Sequence, residues 1–185
     1  MINPAFRVQD ANVCLLTAFS DCQSVLELGC GNGDKLAMLH NCDYRLGIDI
    51  DAKSIHTARN KYRAHRGMSF IVGDLSNPET HKRLVPCDGI LLFDAFEHFD
   101  RDVALNLLVL VQQLCRIRLV LFVPIGEVPP GTLDPKAILE NPYMRHRSVW
   151  EADEIISWGF QVAVWNHVYH HRCAFCTWEP PRALL

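Results

Sequence analysis

Along most of the chain, short apolar runs that end on Gly or Asp alternate with stretches whose apolar residues recur every three to four positions. Ser24–Leu28, Tyr44–Asp49, Ser69–Val72, Gly89–Phe93 and Ile117–Val123 have the length and composition of buried strands. Asp34–His40, Ala52–His65, Asp100–Cys115 and Glu151–Trp158 read as helices between them. Strands separated by helices imply right-handed crossovers and a mainly parallel sheet covered on both faces. The rhythm breaks at the end, because Asn166–Arg172 is too short for a crossover helix between Gln161–His167 and Cys173–Trp178. Those two strands should pair as a hairpin and give the sheet an antiparallel edge. The predicted fold class is α/β, a Rossmann-like doubly wound sheet of seven strands.

Within Asp100–Cys115, the residues Val103, Leu107, Val111 and Leu114 fall on one face, and Asp100 stands where an N-cap belongs. Residues 124–149 carry Pro124, Pro129, Pro130, Pro135 and Pro142 and show no sustained periodicity. A loop this long in a compact domain is usually functional, so it reads as a proline-rich lid or substrate wall. Residues 1–22 read as an N-terminal helical segment. No repeat, low-complexity tract or linker divides the rest, so 1–185 is expected to be one domain.

Composition narrows the function classes. The chain has 185 residues, 49% hydrophobic, with 18 basic and 21 acidic side chains and a net charge of -3. A chain of this size buries roughly 70% of its unfolded surface and needs no disulfide or structural metal to stabilise its core. The mild acidity argues against nucleic acid held mainly by charge. Eight cysteines would suggest a disulfide framework in a secreted chain. Here they are scattered and no signal-peptide pattern precedes them, so a cytoplasmic chain with reduced thiols is expected. Apolar runs such as Leu105–Val111 fall far short of the roughly 20 residues of a membrane span, so no membrane partner is expected. Oligomeric state is left open.

The strongest signal is Val25-Leu26-Glu27-Leu28-Gly29-Cys30-Gly31-Asn32-Gly33-Asp34, a strand running into three glycines and then a helix. Glycines there permit positive φ and let a ligand lie against bare backbone at the C-terminal edge of the sheet. A dinucleotide fingerprint would want a third-position glycine where Asp34 stands. Asp34 sets a negative charge where a pyrophosphate would lie, and suits a cationic sulfonium or ammonium instead. Glu27 can accept from the amino group of an amino acid. Asp49, at the end of the second strand, can accept both hydroxyls of a ribose. Asp74 can accept from an adenine amino group, with Leu75 packed on the ring.

This set resembles the class I S-adenosylmethionine-dependent methyltransferases. Glu27 to Gly33 match their E/D-x-G-x-G-x-G motif, Asp49 their post-motif acid and Asp74 their adenine-side acid. The resemblance runs roughly from Val25 to Trp178. It implies S-adenosylmethionine as cofactor, with contacts from Glu27, Gly29, Cys30, Gly31, Gly33, Asp49, Ile50, Asp74, Leu75 and Phe93.

After the fourth strand comes Asp94-Ala95-Phe96-Glu97-His98, and farther on Asn141-Pro142-Tyr143-Met144-Arg145-His146-Arg147-Ser148-Val149-Trp150. These two motifs resemble a group of small bacterial and archaeal methyltransferases. If the first is helical, Asp94, Glu97 and His98 share a face beside the cofactor. Two mechanisms fit. In one, His98 or His146, with Glu97 nearby, removes a hydroxyl proton from the acceptor. In the other, Asp94, Glu97, His98 and His146 bind a divalent ion that lowers the pKa of that hydroxyl. A similar Glu-x-x-Glu-His pattern with a downstream histidine supports metal in small-RNA 2′-O-methyltransferases, although here the first acid is the shorter Asp94. The leading expectation is O-methylation of a small molecule. Its rivals are metal-assisted RNA 2′-O-methylation and a catalytically silent subunit that keeps the cofactor fold.

Other signals point to packing. His170-His171-Arg172-Cys173-Ala174-Phe175-Cys176 invites zinc, but on a strand Cys173 and Cys176 face opposite sides of the sheet. Arg59, Lys61, Arg63 and Arg66 make a basic helix end. Arg145 and Arg147 flank His146 and could meet an anionic substrate. Trp150 and Trp158 look like core or lid packing.

Overall fold

The computed structural model describes residues 8–128, 135–166 and 172–181. In chain order the elements are α1 (Val8–Ala18), β1 (Ser24–Leu28), α2 (Asp34–Met38), β2 (Tyr44–Asp49), α3 (Ala52–Lys61), β3 (Met68–Val72), α4 (Pro78–His81) and β4 (Cys87–Phe93). A 3-10 turn (Phe96–His98) leads to α5 (Arg101–Leu114) and β5 (Cys115–Ile125). Then come α6 (Pro135–Glu140), a second 3-10 turn (Pro142–Met144), α7 (Ala152–Ser157), β6 (Gln161–Asn166) and β7 (Arg172–Trp178).

Seven strands form one sheet in the order β3-β2-β1-β4-β5-β7-β6. β1 to β5 pair in parallel, while β7 lies antiparallel between β5 and β6. The hairpin is therefore present, but the strand that reverses direction is internal; the edge strand β6, antiparallel to β7, runs with the others. The five residues that join the two strands, 167–171, lie outside the described set together with His170 and His171.

The period of two along each strand divides the core into two layers. Leu26, Ile90, Leu92, Leu119, Leu121 and Cys176 pack with Ala104, Leu107, Leu108 and Val111 of α5 on one face. Val25, Leu91, Phe93, Val120, Phe122 and Cys173 pack on the other with Ala11 and Leu15 of α1, Leu36 of α2 and Ile55 of α3. Cys173 and Cys176 thus do face opposite sides. All eight cysteines are thiols rather than disulfides, seven of them buried. Among the described residues, no helix is long and apolar enough to cross a membrane.

Two local expectations change, while the packing expected of Trp150 is found. Asp100 precedes α5 but makes no capping bond; its carboxylate instead accepts from Arg147 at 3.3 Å. The region expected to be loop from 124 onward begins later, since Pro124 and Ile125 complete β5, and it contains α6 and a 3-10 turn. Trp150 is fully buried, 4.7 Å from the ring of Phe96 and 5.5 Å from that of Trp158, and anchors the end of this segment in the core.

Candidate active site

The strand order reverses between β1 and β4, and beyond the C-terminal ends of these strands lies a cavity of about 810 Å³. Open α/β sheets bind ligands at this switch point. The glycine turn after β1 forms its floor. Gly29 and Cys30 donate backbone N–H to the Ile48 carbonyl at 2.8 and 3.0 Å. Gly29 has φ +74, and a Cβ there would come within 2.6 Å of the Ala95 Cβ. Gly31 has φ +49, and a Cβ there would meet nothing within 4 Å, so its bare backbone faces open space. The Cys30 side chain turns into the core beneath Gly47, leaving only its backbone for a ligand.

Asp49 sits across this turn. Its two oxygens accept from Gly31 N–H at 2.7 Å and Asp51 N–H at 2.8 Å, which fixes the carboxylate at the rim with lone pairs to spare. Asp74 accepts from the amide and hydroxyl of Ser76, and Leu75 is buried beside it. Ile50 and Phe93 complete apolar parts of the lining. The arrangement therefore offers carboxylates at three strand ends, apolar surface between them, and a glycine floor wide enough for backbone contact. This fits an elongated ligand with a polar amino-acid end, a ribose and a base.

Glu27 is 2% exposed and accepts from the Leu36 N–H at 3.1 Å. Burial pushes its pKa up to about 8, against the opposing pull of that hydrogen bond and of Lys35. An ammonium placed beside it would restore its charge. Asp34 behaves otherwise than expected. It lines the cavity, but its carboxylate is engaged by Lys61 Nζ at 2.6 Å and Tyr62 Oη at 2.5 Å. The basic end of α3 thus neutralises the charge that was expected to face a cationic ligand.

At the other end of the cavity, Asp94 has φ +48 and starts the 3-10 turn Phe96–His98. Its carboxyl opens on the cavity but is otherwise crowded by protein, and desolvation raises its pKa to about 6. The segment 145–148 is stapled to this turn. Arg147 N–H and Ser148 N–H both donate to the Glu97 carbonyl, at 2.8 and 3.2 Å. His98 Nδ1 lies 3.2 Å from the Arg145 carbonyl. A carbonyl only accepts, so the neutral ring carries its proton on Nδ1 and keeps a lone pair on Nε2. Burial lowers the pKa of His98, favouring that neutral form.

The staple brings His146 against His98, with ring centroids 5.1 Å apart. Glu97 Oε1 lies 4.0 Å from His98 Nε2 and 3.9 Å from His146 Nε2, too far for hydrogen bonds. Glu97 is 2% exposed, its Oε2 has no hydrogen-bond partner, and desolvation next to Asp94 holds its pKa well above the ordinary carboxylate range. Ligand atoms of Glu97, His98 and His146 lie within 4.8 Å of one another. Asp94 lies outside this 4.8 Å group, although its carboxyl is near enough to raise the pKa of Glu97. The three residues stand at a septum, since His98 lines the large cavity while Glu97 and His146 line a second cavity of about 320 Å³ with Glu127 and Ser148.

Sequence reasoning missed Lys35 in the cavity wall, whereas Asn141, Tyr143, Met144 and Arg147 belong to the segment expected to form a lid or substrate wall. Lys35 carried a signal, as a lysine in the first turn of a helix opposes the helix dipole.

Residues 25–116 match the family model described as a methyltransferase domain. The fold is shared with magnesium protoporphyrin IX methyltransferase (ChlM) of Synechocystis PCC 6803 with bound SAH, at 17% identity over 92% of this chain and 81% of that one, TM-score 0.65. The N-terminal domain of EvdMO1 with SAH bound gives 16% identity, 96% and 82% coverage and TM-score 0.69. The methyltransferase domain of bacterial CtHen1-C gives 14% identity, 94% and 98% coverage and TM-score 0.69. No curated protein sequence matches the chain. Residues 25–116 are thus a methyltransferase domain by their family match, and the strand order is that of the fold shared with the SAH-bound methyltransferases above.

Proposed function

We propose that the protein transfers the methyl group of S-adenosylmethionine to a hydroxyl of a small molecule, with Glu97, His98 and His146 acting on the acceptor. The observation that carries this reading is the buried carboxylate of Glu97, without a hydrogen-bond partner at Oε2, set between two imidazole nitrogens at 3.9 and 4.0 Å. Ionising a carboxyl in such a place is costly unless a cation joins it. Two histidines and one carboxylate suit a divalent transition metal, and Glu97, His98 and His146 would hold it. Such an ion supplies a lowered pKa for an acceptor hydroxyl. The smaller cavity on the far side of the septum has the volume for a compact acceptor, and its acidic wall of Glu97 and Glu127 suits a neutral or cationic one. The 145–148 staple fixes both histidines before the acceptor arrives.

A second reading dispenses with metal. The lone pair on His98 Nε2, enforced by the Arg145 carbonyl, takes the hydroxyl proton directly as the acceptor oxygen attacks the methyl carbon and the sulfur leaves. The charge of the chain and the acidic cavities speak for a small acceptor over RNA. The test is transfer of labelled methyl from S-adenosylmethionine into a metabolite extract, with and without chelator. Loss of transfer in chelator, restored by Mn²⁺ or Mg²⁺ and abolished by His146→Ala, supports the metal reading. Full activity in chelator removes it in favour of the base.

A further inference from the structure

The smaller cavity carries charge that neither mechanism uses. It runs from the buried Glu97 and Ser148 to the exposed Glu127 and Val149. Gly126 and Glu127 leave the sheet directly after β5. Gly126 has φ +74 and donates its N–H to the Trp150 carbonyl at 2.9 Å, which ties this exit to the end of the 145–150 segment. A Cβ on Gly126 would lie 3.8 Å from Glu151 Oε1, so a second exposed carboxylate stands close to the first. Glu151 does not cap α7, and among the described residues neither its carboxylate nor that of Glu127 meets a cation or a hydrogen-bond donor. Other surface carboxylates are answered: Asp100 by Arg147, Glu154 by Arg101 and Glu179 by Arg118. His146 is the single basic side chain among the described lining.

An acidic rim alone is ordinary solvated surface. The buried end of the cavity makes this one different. Glu97 is 2% exposed, and its Oε1 faces His98 and His146, which leaves Oε2 without a partner. Neither mechanism assigns a contact to that second oxygen. A buried oxygen left unsatisfied is costly, and a ligand hydroxyl that donates to it removes the cost. The cavity thus offers a hydrogen-bond acceptor at its closed end and uncompensated negative charge at its open end, with Pro124, Val128 and Val149 as apolar lining.

We propose that the methyl acceptor is a hydroxyl compound carrying a cationic nitrogen, an amino alcohol in its simplest form, held with its hydroxyl at Glu97 Oε2 and its cation at Glu127 and Glu151. This gives the methyl-transfer reading a substrate class and rests on it. Glu97 belongs to the septum, so the orientation turns the hydroxyl towards the cofactor cavity and leaves the cation outward. Glu127 is then a specificity-determining residue. Its charge favours a cation over a neutral alcohol of the same shape and repels an anionic one. The volume of about 320 Å³ restricts the enclosed part of the acceptor to a compact group.

The test incubates the full chain and Mn²⁺ with a metabolite extract and S-adenosylmethionine carrying a CD3 group, then separates the tagged products by electrophoresis at pH 7 and weighs them. Tagged products should migrate to the cathode. Neutral or anionic tagged products overturn the assignment. With the tagged acceptor in hand, Glu127→Gln, an isosteric change at an exposed position, should raise KM roughly 5- to 10-fold and leave kcat unchanged, since the contact is the same in ground and transition states. Glu151→Gln should act in the same direction and less strongly. A KM that Glu127→Gln does not move also overturns the assignment. No tagged product of any charge overturns the methyl-transfer reading itself, which separates the two failures.

Discussion

Glu27 is an acid that the empty fold cannot easily ionise, and this makes a sharp prediction about pH. Glu27→Gln preserves shape and retains an oxygen for the Leu36 N–H, but no longer titrates. In the folded wild type, burial holds the carboxyl up to about 8, against an ordinary value of 4.5. Between those limits the folded chain holds one more proton than the unfolded chain, so unfolding free energy falls as pH rises, by about 1.4 kcal/mol per unit. The stability is present in full below pH 4.5 and is lost as pH climbs through 8. Across the whole window the loss is on the order of 5 kcal/mol, and the variant escapes it. At about 2–4 °C per kcal/mol for a chain of this size, the variant's Tm should exceed that of wild type by roughly 10 °C or more at pH 8, with the gap closing towards pH 5. Thermal unfolding of both ligand-free proteins at pH 5, 6, 7 and 8 measures this. A difference in Tm that is flat with pH would show that Glu27 is ionised throughout and refute the reasoning. A saturating ligand that brings an ammonium beside Glu27, as expected of S-adenosylmethionine, should flatten the difference too.

Two further outcomes follow from the floor of the cavity. Asp49→Ala removes the anchor of the Gly31 N–H and the carboxylate expected to accept the ribose hydroxyls, and the Kd for S-adenosylmethionine by calorimetry should rise about 100-fold, or about 3 kcal/mol. Gly29→Ala forces a Cβ to within 2.6 Å of Ala95 at φ +74. It should lower unfolding free energy by roughly 1–3 kcal/mol in urea titration, and an unchanged midpoint would contradict the strain.

The strand, glycine turn and helix that floor the cavity were legible because they are local. The strand, the glycine turn and the helix that follow one another in Val25–Asp34 form a single contiguous unit, and its conformational demands appear directly as glycines. Asp49 and Asp74 are each recognisable from their place at a strand end, and the fold puts strand ends together by rule. The period of two that assigned Cys173 and Cys176 to opposite faces is likewise a property of the backbone.

What the tertiary structure decided are the pairings between distant residues. Asp34 looked like a ligand-facing charge until α3 brought Lys61 and Tyr62 onto it. Asp100 looked like a cap until the 145–148 segment arrived with Arg147. Asp94 has a left-handed backbone rather than the helical one expected, and the 4.8 Å group holds Glu97, His98 and His146 without it. His98 and His146, far apart in the chain, meet because backbone donors of one segment find the Glu97 carbonyl of the other. Lys35 meets Asn12 only because α1 docks beside α2. Hydrophobic periodicity encodes which face of an element is buried. It does not encode which charged side chain from another element will reach a given carboxylate, because that depends on the docking of whole layers.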